Sequence, residues 1–161
     1  MNVEVKLMGI EHKSVLIQLM ELMNYEWTEY DNRDVNENGY YGYSHIDDYW
    51  NEDGRYPYFI KVDGKIAGFV LIATPPSRFP ERYCVAEFFV MLKYRRQGIG
   101  MQAARKALDC HRGNWEISYW KKNMRAAKFW QAVVDKYTPN NYQTFEYEDE
   151  DDEHEGFLFS N

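Results

Sequence analysis

The apolar positions of this chain follow two spacings, one typical of strands and one typical of helices. Residues 3–7 alternate between apolar and polar side chains, which predicts a short first strand. From residue 13 to residue 27 or 30, apolar side chains recur at steps of three and four, which predicts an amphipathic helix. Strands are then expected over 56–62 and 65–73, because Asp63-Gly64 between them is typical of a hairpin turn.

The second half of the chain continues to alternate between strands and helices. Residues 83–92 are almost all apolar, a pattern typical of a strand that is covered on both faces. The other predicted elements are a helix over 98–110, a strand over 115–120, a helix over 123–137, and strands over 142–147 and 156–159. A short helical turn over 45–50, capped by Ser44, is expected within the polar stretch 31–54.

The order of these elements predicts a mixed α/β (α+β) fold around one sheet. The chain has 161 residues, and single hydrophobic cores typically close at about 100–200 residues. An apolar fraction of 45%, with 17% aromatic residues, can bury a sizeable core, which excludes a disordered chain. Because no repeat, linker or change of composition interrupts the sequence, we expect a single domain over residues 1–161.

Charge and composition exclude several classes of function. The formal net charge of −7 argues against nucleic-acid binding, which needs a basic face, and weakly favours a cationic partner or substrate. Cys84 and Cys110 have no CxxC spacing, and the four histidines are scattered, so we expect reduced thiols and no metal site. There is no apolar run long enough to span a membrane and no secretion signal at the start, so we expect a cytoplasmic location.

The most informative segment is Arg95–Gly100, with the sequence RRQGIG, between an apolar strand and a helix. Gly98 and Gly100 carry no side chain, so backbone N–H groups can approach an anion closely. The helix that begins there adds unpaired N–H groups and the positive end of its dipole, beside the charges of Arg95 and Arg96. The segment predicts a pyrophosphate site, and the alternative is a plain strand-to-helix turn with a solvated basic corner.

The segment lacks the Gly-Lys-Ser/Thr ending of a P-loop and the third glycine of a dinucleotide fingerprint. It resembles instead the acetyl-CoA loop of the GCN5-related N-acetyltransferases (GNAT), [QR]-x-x-G-x-[GA], with Arg95, Gly98 and Gly100 at the defining positions. Asn123 followed by residues 126–130 (AAKFW) is similar to a later helix of that family. The order of strands and helices agrees with that family over essentially the whole chain. The chain as a whole, including residues 48–50 (DYW) and 86–90 (AEFFV), is similar to an uncharacterised bacterial branch of predicted acetyltransferases.

The resemblance implies a sheet of about six or seven strands, flanked by about four helices and splayed between its fourth and fifth strands. Acetyl-CoA would be the co-substrate, its pantetheine arm entering the splay and pairing with backbone groups like an added strand. Asn123 would hydrogen-bond that arm, and Phe129 or Trp130 would pack near it. The residues implied to bind the cofactor are Phe88, Phe89, Val90, Arg95, Arg96, Gln97, Gly98, Ile99, Gly100, Met101 and Asn123.

Transfer of an acetyl group to an amine needs a base for the amine and a hydrogen-bond donor for the thioester oxygen. The family implies the backbone N–H of Val90 as that donor. Glu87 is our candidate base, because burial in an apolar strand would raise its pKa, although it could also point to solvent or pair with a cation. Strand alternation puts Glu87 and Val90 on opposite faces unless a bulge intervenes.

The family often places a tyrosine acid on the later helix, where this chain has Trp130, whose indole is not a useful acid. The role therefore stays open between water and another tyrosine, Tyr119 or Tyr137. Glu116 and Ser118 on the fifth strand are the alternatives to Glu87 as base. For Asn123 the ordinary role of starting a helix is equally natural, and for Trp130 we favour core packing.

The acceptor is expected to be a primary amine of a small molecule or peptide, attacked directly. Residues 25–50 are rich in aromatic and acidic side chains, which suit a cationic amine but also suit packing under a long loop. The acidic run 148–155 is expected to be a solvated hairpin tip. We expect a monomer or a homodimer. The alternative function is a regulatory module that binds acyl-CoA without catalysis.

Overall fold

Seven strands form one mixed sheet in the computed structural model, which describes residues 1–74, 79 and 81–161. The strands are β1 (Val3–Leu7), β2 (Arg55–Val62), β3 (Lys65–Ala73), β4 (Arg82–Val90), β5 (Asn114–Trp120), β6 (Gln143–Asp149) and β7 (Asp152–Ser160). The α-helices are α1 (Lys13–Trp27), α2 (Asp48–Asn51), α3 (Ile99–Asp109) and α4 (Met124–Tyr137), and short 3₁₀ helices cover Ile10–His12 and Leu92–Tyr94. The predicted mixed α/β class is therefore confirmed.

The sheet opens at one place, between its two parallel neighbours. The strand order is β1-β2-β3-β4-β5-β7-β6, and each described pair is antiparallel except β4 with β5. These two strands pair only at Arg82 with Asn114, Tyr83 with Trp115, and Cys84 with Glu116. Beyond Cys84 no further pairing joins the described residues of β4 and β5, so the second half of each strand borders a gap. This gap is the splay that the family resemblance implied.

Helices cover the two faces of the sheet and leave the gap between them. On one face, α1 and α2 bury Leu16, Met20 and Tyr49 against β2, β3 and β4. On the other face, α3 and α4 bury Leu108 and Val133 in a cluster that includes several strands. The hydrophobic burial follows the helical spacing seen in the sequence, because one stripe of each helix faces the sheet.

Several predicted boundaries differ from the observed ones. The expected strand over 83–92 ends at Val90, because Leu92–Tyr94 forms a 3₁₀ turn. The helical turn expected over 45–50 begins only at Asp48, and its N-cap residue is Asp47, so the predicted Ser44 cap is wrong. Prolines cannot continue an inner strand, so the sequence predicts that Pro75 and Pro76 end β3. Both prolines lie outside the described residues, and β3 itself ends at Ala73.

The acidic run near the C-terminus is mostly strand rather than a solvated tip. The β6 strand continues to Asp149 and β7 begins at Asp152, so the turn consists of Glu150 and Asp151. Both turn residues have positive φ angles, 47° and 74°. Lys121 and Lys122 at the end of β5 form ion pairs with acids of this hairpin, which reduces the repulsion among its like charges.

Candidate active site

A cavity of about 560 Å³ lies in the gap between β4 and β5. Its walls are the end of α1, the β4 residues 85–90, the turn and helix start over 95–101, the β5 residues Ser118 and Tyr119, and the first half of α4. The cavity therefore joins both faces of the sheet at the one place where the described strands do not pair. Most of the sequence-predicted site residues lie in its walls.

The glycine-rich turn forms a backbone cradle at one end of this cavity. Gly98 has a φ of 76°, a left-handed conformation that glycine adopts without strain, and α3 begins at the next residue. The first helical N–H with an acceptor in the helix is that of Gln102, which bonds the Gly98 carbonyl at 3.2 Å. The N–H groups of Ile99, Gly100 and Met101 precede it and have no intrahelical acceptor. They are the donors that an anion at this helix start would use.

Gly100 has a second role beside the one that its position in the motif suggests. A Cβ atom there would lie 3.2 Å from Cε2 of Phe129 on α4. The missing side chain thus lets α3 approach α4 closely, in addition to leaving the backbone accessible. The Phe129 ring also stacks on Phe88 of β4 with centroids 5.3 Å apart, so it connects the cradle to the strand.

Arg95 does not offer a free charge to the cradle, contrary to the sequence-based expectation. Its Nε donates to the Val90 carbonyl at 2.5 Å, and its Nη2 donates to both carboxylate oxygens of Glu26 on α1, at 2.8 and 2.9 Å. Its guanidinium also lies over the Phe89 ring. Arg95 therefore joins the turn to β4 and α1, and Arg96, which is exposed, is the cation left beside the cradle.

Gln97 likewise bonds within the protein. Its side-chain amide donates to the Lys93 carbonyl at 2.7 Å, which holds the turn ahead of α3. The Ile99 side chain is fully buried in the core near Val90, so only its backbone can serve a ligand.

The free edge of β4 presents only alternate backbone groups to the gap. The Met91 N–H donates to the Ala67 carbonyl just beyond the β3 pairing, and Phe89 pairs with Phe69. Because backbone groups alternate between the two edges of a strand, those of Phe89 face β3, whereas those of Phe88 and Val90 face the gap. The expectation that the Phe89 backbone pairs with a cofactor does not fit this register. Since Arg95 occupies the Val90 carbonyl, Val90 presents its N–H alone.

Asn123 starts α4 and also lines the cavity. Its Oδ1 accepts from the Ala126 N–H at 3.0 Å, so the ordinary capping role is present. The capping uses the oxygen, and Nδ2 is the group that remains to donate to a ligand. Trp130 is 6% exposed and packs edge-on against Phe88 and Phe129, so it contributes to the core as well as to the cavity wall.

A β-bulge determines which way Glu87 points. Leu71 pairs with Glu87 but Ile72 pairs with Val85, so Ala86 is an extra residue in β4. Val85 packs on the α3–α4 face, and Ala86 packs on the α1–α2 face. Glu87 faces the same side, since its charge contributes to raising the pKa values of Tyr43 and Tyr49, which pack there.

The environment of Glu87 suits a base. Desolvation raises the pKa of its carboxyl from 4.5 to about 7, and the charge of Arg33 lowers it in part. The residue is partly exposed, and Glu87 is one of the cavity-lining residues. Glu87 and Val90 place their side chains on opposite faces. The Val90 N–H, however, lies in the plane of the sheet, so both groups can reach the gap.

The alternative catalytic residues occupy different places. Tyr137 lies at the far end of α4, where its hydroxyl donates to Asp109 at 2.8 Å, so it is remote from the cavity. Tyr119 lines the cavity, and its hydroxyl donates to Glu155 at 3.1 Å. Burial, followed by the charge of Glu155, raises the pKa of Tyr119. Ser118 also lines the cavity, whereas Glu116 is buried and does not line it.

A match to a family model identifies the protein family to which this fold and cavity belong. The family model described as the acetyltransferase (GNAT) family matches residues 18–134, most of the chain. The chain belongs to the GNAT acetyltransferase family. The expected acyltransferase class is thereby confirmed, and so is acetyl-CoA as the co-substrate typical of this family. Comparison with curated protein sequences gave no significant match.

Solved structures of other acetyltransferases share the fold at low identity. The aminoglycoside acetyltransferase AAC(6')-Ib in complex with coenzyme A and kanamycin has a TM-score of 0.71 and 10% identity, covering 99% of this chain and 95% of that one. A GNAT acetyltransferase from Bacillus cereus ATCC 10987 has a TM-score of 0.65 and 15% identity, covering 100% and 99%. An acetyltransferase from Thermus thermophilus has a TM-score of 0.69 and 10% identity, covering 100% and 98%.

Residues 25–50 of this acetyltransferase, which were expected to form the substrate wall, lie in different environments. Trp27 and Tyr30 line the cavity. Tyr43 and Tyr49 lie over Glu87 on the α1–α2 face. Tyr25, by contrast, is exposed to solvent. Packing under the loop is therefore observed for Tyr43 and Tyr49, whereas a substrate wall stays a prediction for Trp27 and Tyr30.

Arg125 is a cavity residue of the acetyltransferase that the sequence pattern does not reveal. It forms an ion pair with Glu29 and donates to the Tyr30 hydroxyl at 3.1 Å, which links the start of α4 to the end of α1. Trp27 and Trp120 make a second link across the gap, with ring centroids 4.8 Å apart. These contacts join residues more than ninety positions apart, so no local signal marks them.

Membrane-spanning helices and grouped metal ligands are both missing from the described part of the acetyltransferase. None of its described helices is long and apolar enough to cross a membrane. Within residues 1–74, 79 and 81–161, no three side chains of histidine, cysteine, aspartate or glutamate are grouped as a metal site would require.

Proposed function

We propose that this chain is an acetyl-CoA-dependent N-acetyltransferase, a single domain over residues 1–161 that transfers an acetyl group to a primary amine of a small molecule or peptide by direct attack. The observation that carries the proposal is the cavity between β4 and β5, which joins the backbone cradle of α3 to Glu87. A donor held at one end and a base at the other would share one cavity. One structural relative was solved in complex with kanamycin, an amine-bearing molecule, which supports this acceptor class.

The donor side follows from unpaired backbone groups. Acetyl-CoA would supply the acetyl group as a thioester. The N–H groups of Ile99, Gly100 and Met101, with Arg96 beside them, suit its pyrophosphate. Phe88 and Val90 would pair with its pantetheine amides as an added strand would, and the Asn123 Nδ2 would donate to the same arm.

The reacting carbonyl would lie against the N–H of Val90. Its oxygen becomes negatively charged during attack, so a fixed donor without a competing acceptor stabilises it. Arg95 satisfies the Val90 carbonyl at 2.5 Å, and Glu26 balances the charge of Arg95. Val90 thus has its carbonyl occupied by Arg95 and its N–H directed at the gap.

Glu87 would accept the proton of the amine, directly or through water. An amine attacks only when neutral, and a base with a pKa of about 7 is well matched to taking its proton near neutral pH. The aromatic rings of Trp27 and Tyr30 would face the acceptor, where they favour a cation. The free thiols Cys84 and Cys110 are compatible with a reducing, cytoplasmic location.

Titration of the protein with acetyl-CoA, followed by assay of thiol release with a panel of amines, tests the proposal. We expect binding at sub-millimolar concentration and turnover with at least one amine above the rate of acetyl-CoA hydrolysis. Glu87→Gln should lower kcat by about 10²–10⁴-fold with little change in cofactor affinity. Glu4→Gln, an exposed change on β1, is the matched control. Absence of acetyl-CoA binding would refute the assignment.

One observation favours the alternative of a regulatory module that binds acyl-CoA without catalysis. Trp130 stands where the family often has a tyrosine acid, and the cavity tyrosines Tyr30 and Tyr119 are both hydrogen-bonded to other side chains. A leaving thiolate would then take its proton from water. Binding of acetyl-CoA without turnover of any amine would establish the module and exclude the enzyme.

A further inference from the structure

The first strand, β1, forms one of the two free edges of the sheet. It pairs with β2 on one side, and none of the strands that the structure describes pairs with its other side. The Asn2 carbonyl accepts a backbone hydrogen bond at 2.9 Å from the residue after β2, and the Met8 N–H donates one at 2.8 Å to a β2 carbonyl. Because backbone groups alternate between the two edges of a strand, the backbone groups of Val3, Val5 and Leu7 face outward.

Most of the backbone groups on this outward edge lack a hydrogen-bond partner in the described part of the chain. The Val3 carbonyl accepts from Nζ of Lys106 on α3 at 2.6 Å, which leaves its second lone pair available. The N–H and carbonyl groups of Val5 and Leu7 have no such contact there. A row of unpaired backbone groups is a template for the addition of another strand.

The side chains of β1 divide between the two faces of the sheet. Val3 and Val5 pack on the face that α3 covers. Leu7 has the same orientation by alternation but is 58% exposed. Glu4 and Lys6 lie on the opposite face and are exposed, and neither side chain forms an ion pair or hydrogen bond with any residue that the structure describes.

The charges of this edge are complementary to those of a second copy. The sequence of β1, VEVKL, has an acid and a base at equal distances on either side of Val5. In an antiparallel pair of two copies centred on Val5, Glu4 of each copy lies opposite Lys6 of the other. Val3 of each copy then lies opposite Leu7 of the other, and about six backbone hydrogen bonds form between the outward-facing residues. Two pairs of opposite charges and a row of hydrogen bonds therefore form together.

The same charges exclude the neighbouring registers. Only outward-facing residues can exchange hydrogen bonds, so the pair can slip by two residues but not by one. A slip of two places Glu4 opposite Glu4 in one direction and Lys6 opposite Lys6 in the other, and like charges directly opposite are destabilising. The other free edge, β6, carries Glu146, Glu148 and Asp149 without a basic residue, so a second copy of β6 would bring acids against acids.

We propose that β1 is the interface of a dimer with two-fold symmetry, in which the β1 strands of two copies of this chain pair in antiparallel orientation about Val5. The two seven-stranded sheets then form one continuous sheet. The exposed Leu7 lies against Val3 of the second copy. The Val3 residues of the two copies are about 13 Å apart at a rise of about 3.3 Å per residue, so their Lys106 contacts lie at opposite ends of the pair.

The interface is small and distant from the cavity. Because the pairing involves a strand of five residues, we expect a weak dimer with a dissociation constant of roughly 1–100 µM. The strands β2 and β3 separate β1 from β4, which borders the cavity. Activity per chain should therefore be equal in monomer and dimer, and the oligomeric state can be measured whether or not the chain is an enzyme.

Sedimentation of the full chain at increasing concentration, without acetyl-CoA, measures the dimer. Glu4→Lys and Lys6→Glu each convert both charge pairs into like-charge contacts, so each should weaken the dimer by about ten- to a hundredfold. An equimolar mixture of the two variants should restore it, because one copy then carries two lysines and the other two glutamates at the facing positions. Glu148→Lys on β6 and Lys136→Glu on α4 make the same charge changes at exposed positions elsewhere and should leave the dissociation constant unchanged.

Hydrogen exchange of the wild type provides a second measurement if a charge variant does not fold. The amides of Val5 and Leu7 should exchange slowly well above the dissociation constant and rapidly after dilution below it. The amides of Glu4 and Lys6, which face β2, should stay protected at both concentrations and are internal controls.

Four results would overturn the proposal. The first is a wild type that stays monomeric at concentrations up to several hundred micromolar, about the upper end of weak association. The second is a dimer that both charge variants leave intact, and the third is a mixture of the variants that stays monomeric, since the contact would then lie elsewhere. The fourth is growth beyond the dimer, which would indicate an open chain of copies joined from β1 to β6 instead of a closed two-fold pair.

Discussion

Replacing Glu87 by glutamine should change how the stability of the protein depends on pH. The folded state holds a proton on Glu87 up to about pH 7, whereas the unfolded chain releases it near pH 4.5. Between these values the folded state binds more protons than the unfolded state, so the free energy of unfolding falls as pH rises. Above about pH 7 both states are ionised and the loss is complete. Glutamine cannot ionise and removes this loss.

The magnitude follows from the two pKa values. Each pH unit between them corresponds to about 1.4 kcal/mol. The interval from 4.5 to about 7 therefore sets an upper bound of about 3.5 kcal/mol. The residue is partly exposed to the cavity, so solvent screening reduces the expected effect to about 1–3 kcal/mol.

Urea unfolding of the wild type and of Glu87→Gln at about pH 5 and about pH 8 measures this effect. The stability difference between the two proteins should move in favour of the variant by about 1–3 kcal/mol on going to the higher pH. Glu4→Gln, whose carboxyl is exposed, should show no such change. An equal difference at both pH values would refute the raised pKa and, with it, the main physical reason for choosing Glu87 as base.

Three further changes test other parts of the site and the fold. Glu26→Gln should lower the free energy of unfolding by about 1 kcal/mol in urea, and should lower kcat more than it raises KM for acetyl-CoA, because Arg95 loses the anchor that holds it on Val90. Gly100→Ala should weaken acetyl-CoA binding several-fold by calorimetry with the fold retained, since its Cβ would lie 3.2 Å from the Phe129 ring. Gly156→Ala should lower the melting temperature sharply, because its Cβ would lie 2.1 Å from the Ile117 carbonyl oxygen and force β5 and β7 apart.

The elements that the sequence predicts well are those whose signal is local. The helix over Lys13–Trp27 and the strand over Lys65–Ala73 have the predicted bounds, because spacing of apolar residues and a turn dipeptide act within a few residues. The cradle at Gly98 is local in the same sense, since a left-handed glycine followed by a helix start is encoded by adjacent positions. Short elements are less well predicted, and the turn before Asp48 shows that a serine in the right place does not suffice for a cap.

The contacts that orient the site are not local. Arg95 fills a motif position, yet its partner Glu26 is 69 residues away in the chain. Arg125 and Tyr30 are 95 residues apart. A single sequence gives no sign that two such residues meet, so a motif arginine is easily interpreted as a ligand for the phosphate when its guanidinium faces the other way.

The extra residue Ala86 determines which face of the sheet the Glu87 side chain occupies. Counting from Tyr83 and Val85, which pack against α3 and α4, simple alternation would place Glu87 on that same apolar face. The extra residue Ala86 moves Glu87 to the face of Tyr43 and Tyr49, and by the same shift it brings Phe88 to the opposite face, against Phe129. A bulge can therefore supply a polar face to a strand whose sequence is almost wholly apolar. Because the bulge lies next to the gap, where β4 has lost its parallel neighbour, the Glu87 carboxyl becomes part of the cavity wall instead of the apolar core.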